Sequence, residues 1–382
     1  MVNPQYQNDL IIKTYYEKEI NTLCLLKGKR GGSIYIEFFN LYESSTDILT
    51  LNDVYIKPDR FYYDPEIEPI YQFIEESAEI KVQIIVSLHA FEICFKSNLI
   101  LLEASFTEFP IVEQFPRDKE GDYYILFNLN GELLFHKKID KRNTWTPANE
   151  NNIVRFFEYG CLAYISSPND YEGKFKRWRI STGEYVETEL LRDKELVDNH
   201  YLYEYLDDFD INKEKNLLAL LFSGPTNGEF CVRVLESIAF DKLTTIFSFI
   251  DSGKNGTLQF VSINPLGEKL ALLAYADWNI ENIPNVDILI YNFNGTKPEN
   301  RIKTEINYSE ISIINIQHYS PDVLCIITLN DIFLYDLISG KEIRRLVRDE
   351  ESPYFVSSEI IFYSSDSNLV VFTIDNDKLS SE

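Results

Sequence analysis

An uninterrupted apolar strand that returns about every 53 residues constrains this chain more than any other feature of its sequence. Leu217-Leu-Ala-Leu-Leu221, Leu270-Ala-Leu-Leu-Ala274, Val323-Leu-Cys-Ile-Ile327 and Leu369-Val-Val-Phe372 each begin within two residues of a polar turn. Those turns are Asn212-Lys-Glu-Lys-Asn216, Asn264-Pro-Leu-Gly-Glu268, Ser320-Pro-Asp322 and Ser364-Ser-Asp-Ser-Asn368. An earlier copy, lacking the polar turn, begins at Leu162, so the starts fall at 162, 217, 270, 323 and 369, with a short last interval. A strand with one wet face alternates apolar and polar residues, whereas a continuous apolar run has both faces covered. Each copy therefore reads as the second strand of a small sheet packed between two similar sheets.

A hairpin follows three of these strands, and another precedes the first. Tyr124 to Gly131, Arg177 to Gly183, Ile288 to Gly295 and Phe333 to Gly340 each carry an aromatic residue followed at once by a polar one, then a glycine turn. The pairs are Phe127-Asn128, Trp178-Arg179, Tyr291-Asn292 and Tyr335-Asp336. Glycine permits the positive φ that tight hairpins use. The strand after the turn is more charged, as in Lys341-Glu-Ile-Arg-Arg345, which suits a solvated outer edge. Phe230-Cys-Val-Arg-Val-Leu-Glu236 keeps the strand but loses the pair and the glycine.

A Ser-Pro-Asp type turn, an apolar strand, an aromatic-plus-polar pair and a glycine hairpin, in that order over residues 120–375, resemble the WD-repeat β-propeller superfamily. The resemblance implies an all-β fold, a single propeller of four-stranded blades over residues 1–382. Dividing the length by the period gives about seven blades, or six if an insertion takes up a blade's worth of chain. The last apolar run ends near Ile374, so the N-terminal strands, Leu10 to Tyr16 and Thr22 to Leu26, are expected to close the ring and cover an open edge. Asp64, Pro65, Ile67, Ile70 and Ile74 have the cap and spacing of a short helical insertion near residues 64–78. Strands are also expected at Ser33–Phe39, Lys81–Val86 and Asn98–Leu102.

In such a propeller the connections between second and third strands, and those between blades, share one face, and loops on a rigid scaffold carry function. That rule gathers Trp145, Tyr171, Tyr201, Asp277, Trp278 and Tyr354 as candidate partner-binding residues, aromatics being frequent interface anchors. Asp170, Glu172, Asp193, Glu195, Asp198 and Glu281 surround them. The reading that follows is a non-catalytic protein-interaction scaffold for a basic partner, including the case of an acidic neutraliser of a toxin. The alternative is a glycosidase-type hydrolase with a carboxylate pair in the central funnel.

Acidic residues outnumber basic ones by 61 to 36, for a formal charge of -25, which repels phosphate backbones and argues against nucleic acid. No apolar run reaches membrane-spanning length, and no leader pattern opens the chain, so a cytoplasmic protein without membrane contact is expected. Cys24, Cys94, Cys161, Cys231 and Cys325 are far apart and embedded in apolar runs, which fits buried thiols in a reducing compartment. Asp208-Phe-Asp-Ile-Asn212 begins like a calcium loop, but Lys213 replaces the turn glycine and Ala219 the bidentate glutamate, so a turn between strands is the expectation. His89, His136, His200 and His318 lack metal-ligand spacing. No catalytic residue, cofactor or metal is expected.

Overall fold

A computed structural model of the chain describes residues 10–28, 33–41, 43, 45–56, 83–108, 121–138, 153–158, 161–165, 174–179, 184–189, 205–223, 230–239, 242–251, 256–275, 285–307, 312–349, 354–357, 360–365 and 368–374. They belong to two compact units, Met1–Arg142 and Asn143–Glu382. Among the described residues the regular structure is β-strand, apart from the single 3-10 turns Lys18–Ile20 and Phe95–Ser97.

Unit one contains two antiparallel meanders. The first is β1 (Leu10–Glu17), β2 (Thr22–Gly28), β3 (Ser33–Asn40) and β4 (Ser45–Ile56). The second is β5 (Gln83–Cys94), β6 (Leu99–Glu108), β7 (Gly121–Asn128) and β8 (Leu133–Lys138). A short parallel pairing, Val54 to Gln83 through Ile56 to Ile85, joins them into one eight-stranded sheet in chain order. Cys24, Leu26, Ile34 and Ile36 of the first meander pack with Ile93, Ile100, Leu102, Ile125 and Phe127 of the second.

Among its described residues unit two is a series of five antiparallel sheets. Sheet one holds β9 (Ile153–Glu158), β10 (Cys161–Ile165), β11 (Lys174–Arg179) and β12 (Glu184–Glu189). Sheet two holds β13 (Tyr205–Asn212), β14 (Leu217–Ser223), β15 (Phe230–Ala239) and β16 (Lys242–Asp251). Sheet three holds β17 (Thr257–Ile263), β18 (Lys269–Tyr275), β19 (Asn285–Asn292) and β20 (Asn300–Asn307). Sheet four holds β21 (Ile313–Ser320), β22 (Val323–Thr328), β23 (Asp331–Asp336) and β24 (Lys341–Val347). The last has three strands, β25 (Tyr354–Ser357), β26 (Ile360–Ser365) and β27 (Asn368–Phe372).

The continuous apolar runs occupy second strands for the reason inferred from their composition. On β18, Leu270, Leu272 and Ala274 enter the core shared with sheet two, while Ala271, Leu273 and Tyr275 enter the core shared with sheet four. On β22 the alternation continues: Leu324 and Ile326 face sheet three, Val323, Cys325 and Ile327 the last sheet. Successive residues of a strand point to opposite faces, so two cores consume every position.

Two assignments differ from the sequence expectation. Leu369–Phe372 lies in β27, the third strand of its sheet; the second is β26, whose Ile360, Ile361, Phe362 and Tyr363 are buried. Counted between second strands, from Val323 to Ile360, the last interval is 37 residues, shorter still than the 46 from Val323 to Leu369. The strands expected to complete the last sheet, Leu10–Tyr16 and Thr22–Leu26, are β1 and β2, paired to each other, with β2 also paired to β3. Leu23 to Leu26 are buried within that meander. The strands at Ser33, near Lys81 and at Asn98 match β3, β5 and β6, whereas the helical insertion at 64–78 lies outside the described residues.

The aromatic-plus-polar pair divides its labour. Phe127, Tyr291 and Tyr335 are buried, Tyr291 stacking on Phe249 at 4.4 Å between ring centroids. The polar partner closes the turn: Asn128 Oδ1 accepts the N–H groups of Asn130 and Glu132, Asn292 Oδ1 that of Asn294, and Asp336 Oδ1 those of Ile338 and Ser339. This is Asx-turn chemistry. Gly131 and Gly340 take φ +79° and +71° as expected. The fourth strands β8, β16 and β24 each contain a bulge, at Leu134, Ile246 and Ile343, a device that discourages pairing at an exposed edge.

Candidate functional site

First strands of successive sheets in unit two lie side by side: β13 against β17, β17 against β21, β21 against β25. No ladder pairing joins them, since each strand's ladder partner belongs to its own sheet. Side chains make the connection instead. Asp208 Oδ2 accepts the Val261 N–H at 2.8 Å, and Asp210 Oδ2 accepts the Ile263 N–H at 2.7 Å. Asn212 Nδ2 donates to the carbonyls of Asn264 and Pro265 at 3.0 and 3.2 Å. One sheet further on, Ser262 Oγ accepts the His318 N–H at 3.1 Å and lies 3.0 Å from His318 Nδ1. Tyr319 Oη accepts the Ile374 N–H at 2.8 Å.

The three aspartates of β13 and His318 have shifted titration. Burial pushes the Asp207 carboxyl up to about 7, against a single lowering bond from the Ser223 hydroxyl. Asp208 and Asp210 are also raised by burial, despite the amides they accept, and Asp208 is raised further by Asp210 and Asp207. Burial holds His318 down to about 3, so its imidazole is neutral. Ser262 Oγ stands between Asp210 and His318. It has one proton, so when that proton goes to Asp210 the imidazole Nδ1 must carry hydrogen. This order, acid then serine then histidine, differs from a nucleophilic triad, where histidine lies between serine and acid. At 0% exposure Ser262 offers no access to a substrate.

Of the candidate contact residues, Tyr354 is described, half-buried at the start of β25. The Arg348 guanidinium lies 4.8 Å from its ring centroid, and its hydroxyl bonds Asn315 of β21. Arg348 is 4% exposed and donates through Nη1 to the Thr328 carbonyl at 2.9 Å. Burial raises the Tyr354 phenol and lowers the Arg348 guanidinium. Trp145, Tyr171, Tyr201, Asp277 and Trp278 lie outside the described residues, as do Asp170, Glu172, Asp193, Glu195, Asp198 and Glu281. Tyr354 and Asp207 both stand near the starts of first strands and Arg348 just past the end of a fourth strand, so all three belong to the same end of unit two.

Sequence reasoning missed the inner ladder. Asp208 to Asn212 was expected as a turn; Asp208 and Asp210 are in β13, and the turn begins at Asn212, whose Oδ1 accepts the Lys215 N–H. The signal available was the alternation of two aspartates at 53 residues from Val261 and Ile263, the repeat interval itself. Cys24, Cys94, Cys231 and Cys325 are free and buried. Among the described residues no group of three or more His, Cys, Asp or Glu is placed to hold a metal, and no helix is long and apolar enough to cross a membrane.

No family model matches the sequence, and no curated protein matches it. The fold resembles β-propellers. Kluyveromyces lactis Hsv2 matches with a TM-score of 0.54 at 9% identity, over 97% of this chain and 96% of that one. The Myceliophteria thermophila Cps50 (Swd1) β-propeller domain matches with a TM-score of 0.51 at 10% identity, over 97% of this chain and 100% of that one. At such identities the likeness concerns the fold.

Proposed function

We propose that this chain is a non-catalytic interaction propeller that binds a basic protein partner in the cytoplasm. The supporting observation is the end of unit two where first strands begin. There Tyr354 lies half-buried under the Arg348 guanidinium, in a chain of formal charge -25. Rigid scaffolds present contact residues on their loops, and Trp145, Tyr171, Tyr201, Asp277, Trp278 and Tyr354 are the residues assigned to that contact. In this reading residues 1–382 form one propeller of seven blades. Two four-stranded meanders in unit one, with four four-stranded sheets and one three-stranded sheet in unit two, support that count. Full coverage of a propeller domain by the Swd1 match supports a single ring. The buried serine and neutral histidine of the inner ladder speak for scaffold rather than catalysis.

The test uses the wild-type chain and a Trp145→Ala/Trp278→Ala variant as baits, with eluates compared by mass spectrometry. Basic proteins captured by the wild type, released by moderate salt and absent from the variant at unchanged circular dichroism are the expected result. Identical eluates remove this face from consideration.

A further inference from the structure

Asp207 is the bulged residue of β13: Leu206 pairs with Phe222 and Asp208 with Leu221, leaving Asp207 without an opposite residue. Bulges at the same place in β17 and β21 carry Gln259 and Ile314, so only β13 of these three has an ionisable group there. Its Oδ1 accepts the Ser223 hydroxyl at 3.1 Å, while Oδ2 is shielded from solvent without a hydrogen-bond partner. A neutral carboxyl tolerates that setting far better than an ionised one, which needs donors on both oxygens.

Among the described residues of the strands packed against β13 there is no compensating cation. β14 and β17, the strands packed against β13, contain no ionisable residue. On β13 itself the neighbours are Asp208 and Asp210. Beyond β17, β21 contributes His318, engaged with Ser262, and β25 contributes Tyr354, covered by Arg348. β13 is a sheet edge, ladder-paired to β14 alone and held to β17 by the Asp208, Asp210 and Asn212 side chains.

We propose that β13 is a pH-responsive element of unit two, seated against β17 while Asp207 carries a proton and loosened when it ionises. An ionised Asp207 gains solvation by turning the bulge outward, which draws Asp208 and Asp210 away from the Val261 and Ile263 amides. The pH window follows from the sign of the shift. A carboxyl raised from 3.8 to about 7 stabilises the seated form below the ordinary carboxylate range, and that stabilisation is lost as pH rises toward 7.

Hydrogen exchange of the Val261 and Ile263 amides in the full chain, expressed as protection factors from pH 4 to pH 8, tests this. Protection in the wild type should fall with pH relative to Asp207→Asn, the ratio of the two widening by as much as about tenfold per unit up to pH 7 and then levelling. Parallel profiles for the two proteins overturn the proposal. The slope is the readout, so a uniformly lower protection in the variant does not affect it. Should Asp207→Asn fail to fold, the side-chain carboxyl carbon of Asp207 in the wild type is followed by NMR. A midpoint near 7 sustains the proposal and one below 5 overturns it.

Discussion

Replacing Ser262 by alanine tests whether side-chain bonds between first strands hold neighbouring sheets in register. Ser262 is 0% exposed, and its Oγ serves both the backbone N–H and Nδ1 of His318, itself 5% exposed. Alanine fills nearly the same space, so the packing loss is small and the cost comes from orphaned polar groups. A buried donor or acceptor without a partner costs about 1–3 kcal/mol, and two are orphaned, giving about 2–6 kcal/mol. With an m-value near 3 kcal/mol/M the urea midpoint should drop by about 1 M. The measurement is urea unfolding by circular dichroism at pH 7.5, where the histidine is neutral in both states. Repetition at lower pH separates the bond from the charge. His318 is held down to about 3 from 6.5, so the unfolded chain takes up a proton first and the wild type loses stability as pH falls from 6.5 toward 3. Replacement of His318 by glutamine should remove that acid-side slope, about 1.4 kcal/mol per pH unit at most. A loss below about 0.5 kcal/mol for Ser262→Ala, within the range of ordinary surface substitutions, would refute the reasoning.

Gly131→Ala and Gly340→Ala share a positive φ but differ in surroundings: an added Cβ at 131 overlaps the Thr50 carbonyl oxygen, whereas at 340 it meets Ile302 at 3.6 Å. The second should cost about 1–2 kcal/mol by thermal melting and the first distinctly more, since it adds a clash with backbone to the same conformational strain. Tyr291→Ala removes a 1% exposed ring stacked on Phe249 and should cost about 3–5 kcal/mol in urea unfolding, with Tyr291→Phe recovering most of it. Asp336→Ala deletes the acceptor of two turn amides and should lower stability by about 0.5–1.5 kcal/mol, while Asp336→Asn, which keeps the acceptor, should sit close to wild type.

Strands whose two faces are both buried were readable because burial leaves a mark on every residue, as at Leu270–Ala274. Turns were readable where the chemistry is local: Asn128, Asn292 and Asp336 accept amides two to four residues ahead. Unit one was harder because its first and second strands are linked through 3-10 turns rather than polar loops. A common signal was nevertheless present: Asn21, Asn98 and Asn216 all adopt positive φ immediately before a second strand, a conformation asparagine tolerates better than most residues. The last sheet was misregistered because Leu369–Phe372 is as apolar as a second strand, although Val371 is 46% exposed, and composition alone does not reveal that exposure. The inner ladder was illegible for another reason. An aspartate in a polar stretch looks solvated, and nothing local reveals that its acceptor role lies 53 residues away.

That ladder changes what the acidity of the chain means. The formal charge of -25 assigns a full negative charge to Asp207, Asp208 and Asp210, yet burial raises all three and the amides at Val261 and Ile263 occupy two of them. Arginines are committed as well: Arg301 and Arg345 pair with Asp287 and Asp331 in hairpins of the same geometry, each pair 14 residues apart. Charge spent on joining neighbouring strands has fixed partners and little reach beyond them, because the groups that bind it sit within hydrogen-bond distance. Attraction of a basic protein therefore depends on the acidic side chains outside this framework. Neutralising Asp208 or Asp210 should alter stability and leave the salt dependence of partner binding unchanged, whereas neutralising loop carboxylates such as Asp277 should do the reverse.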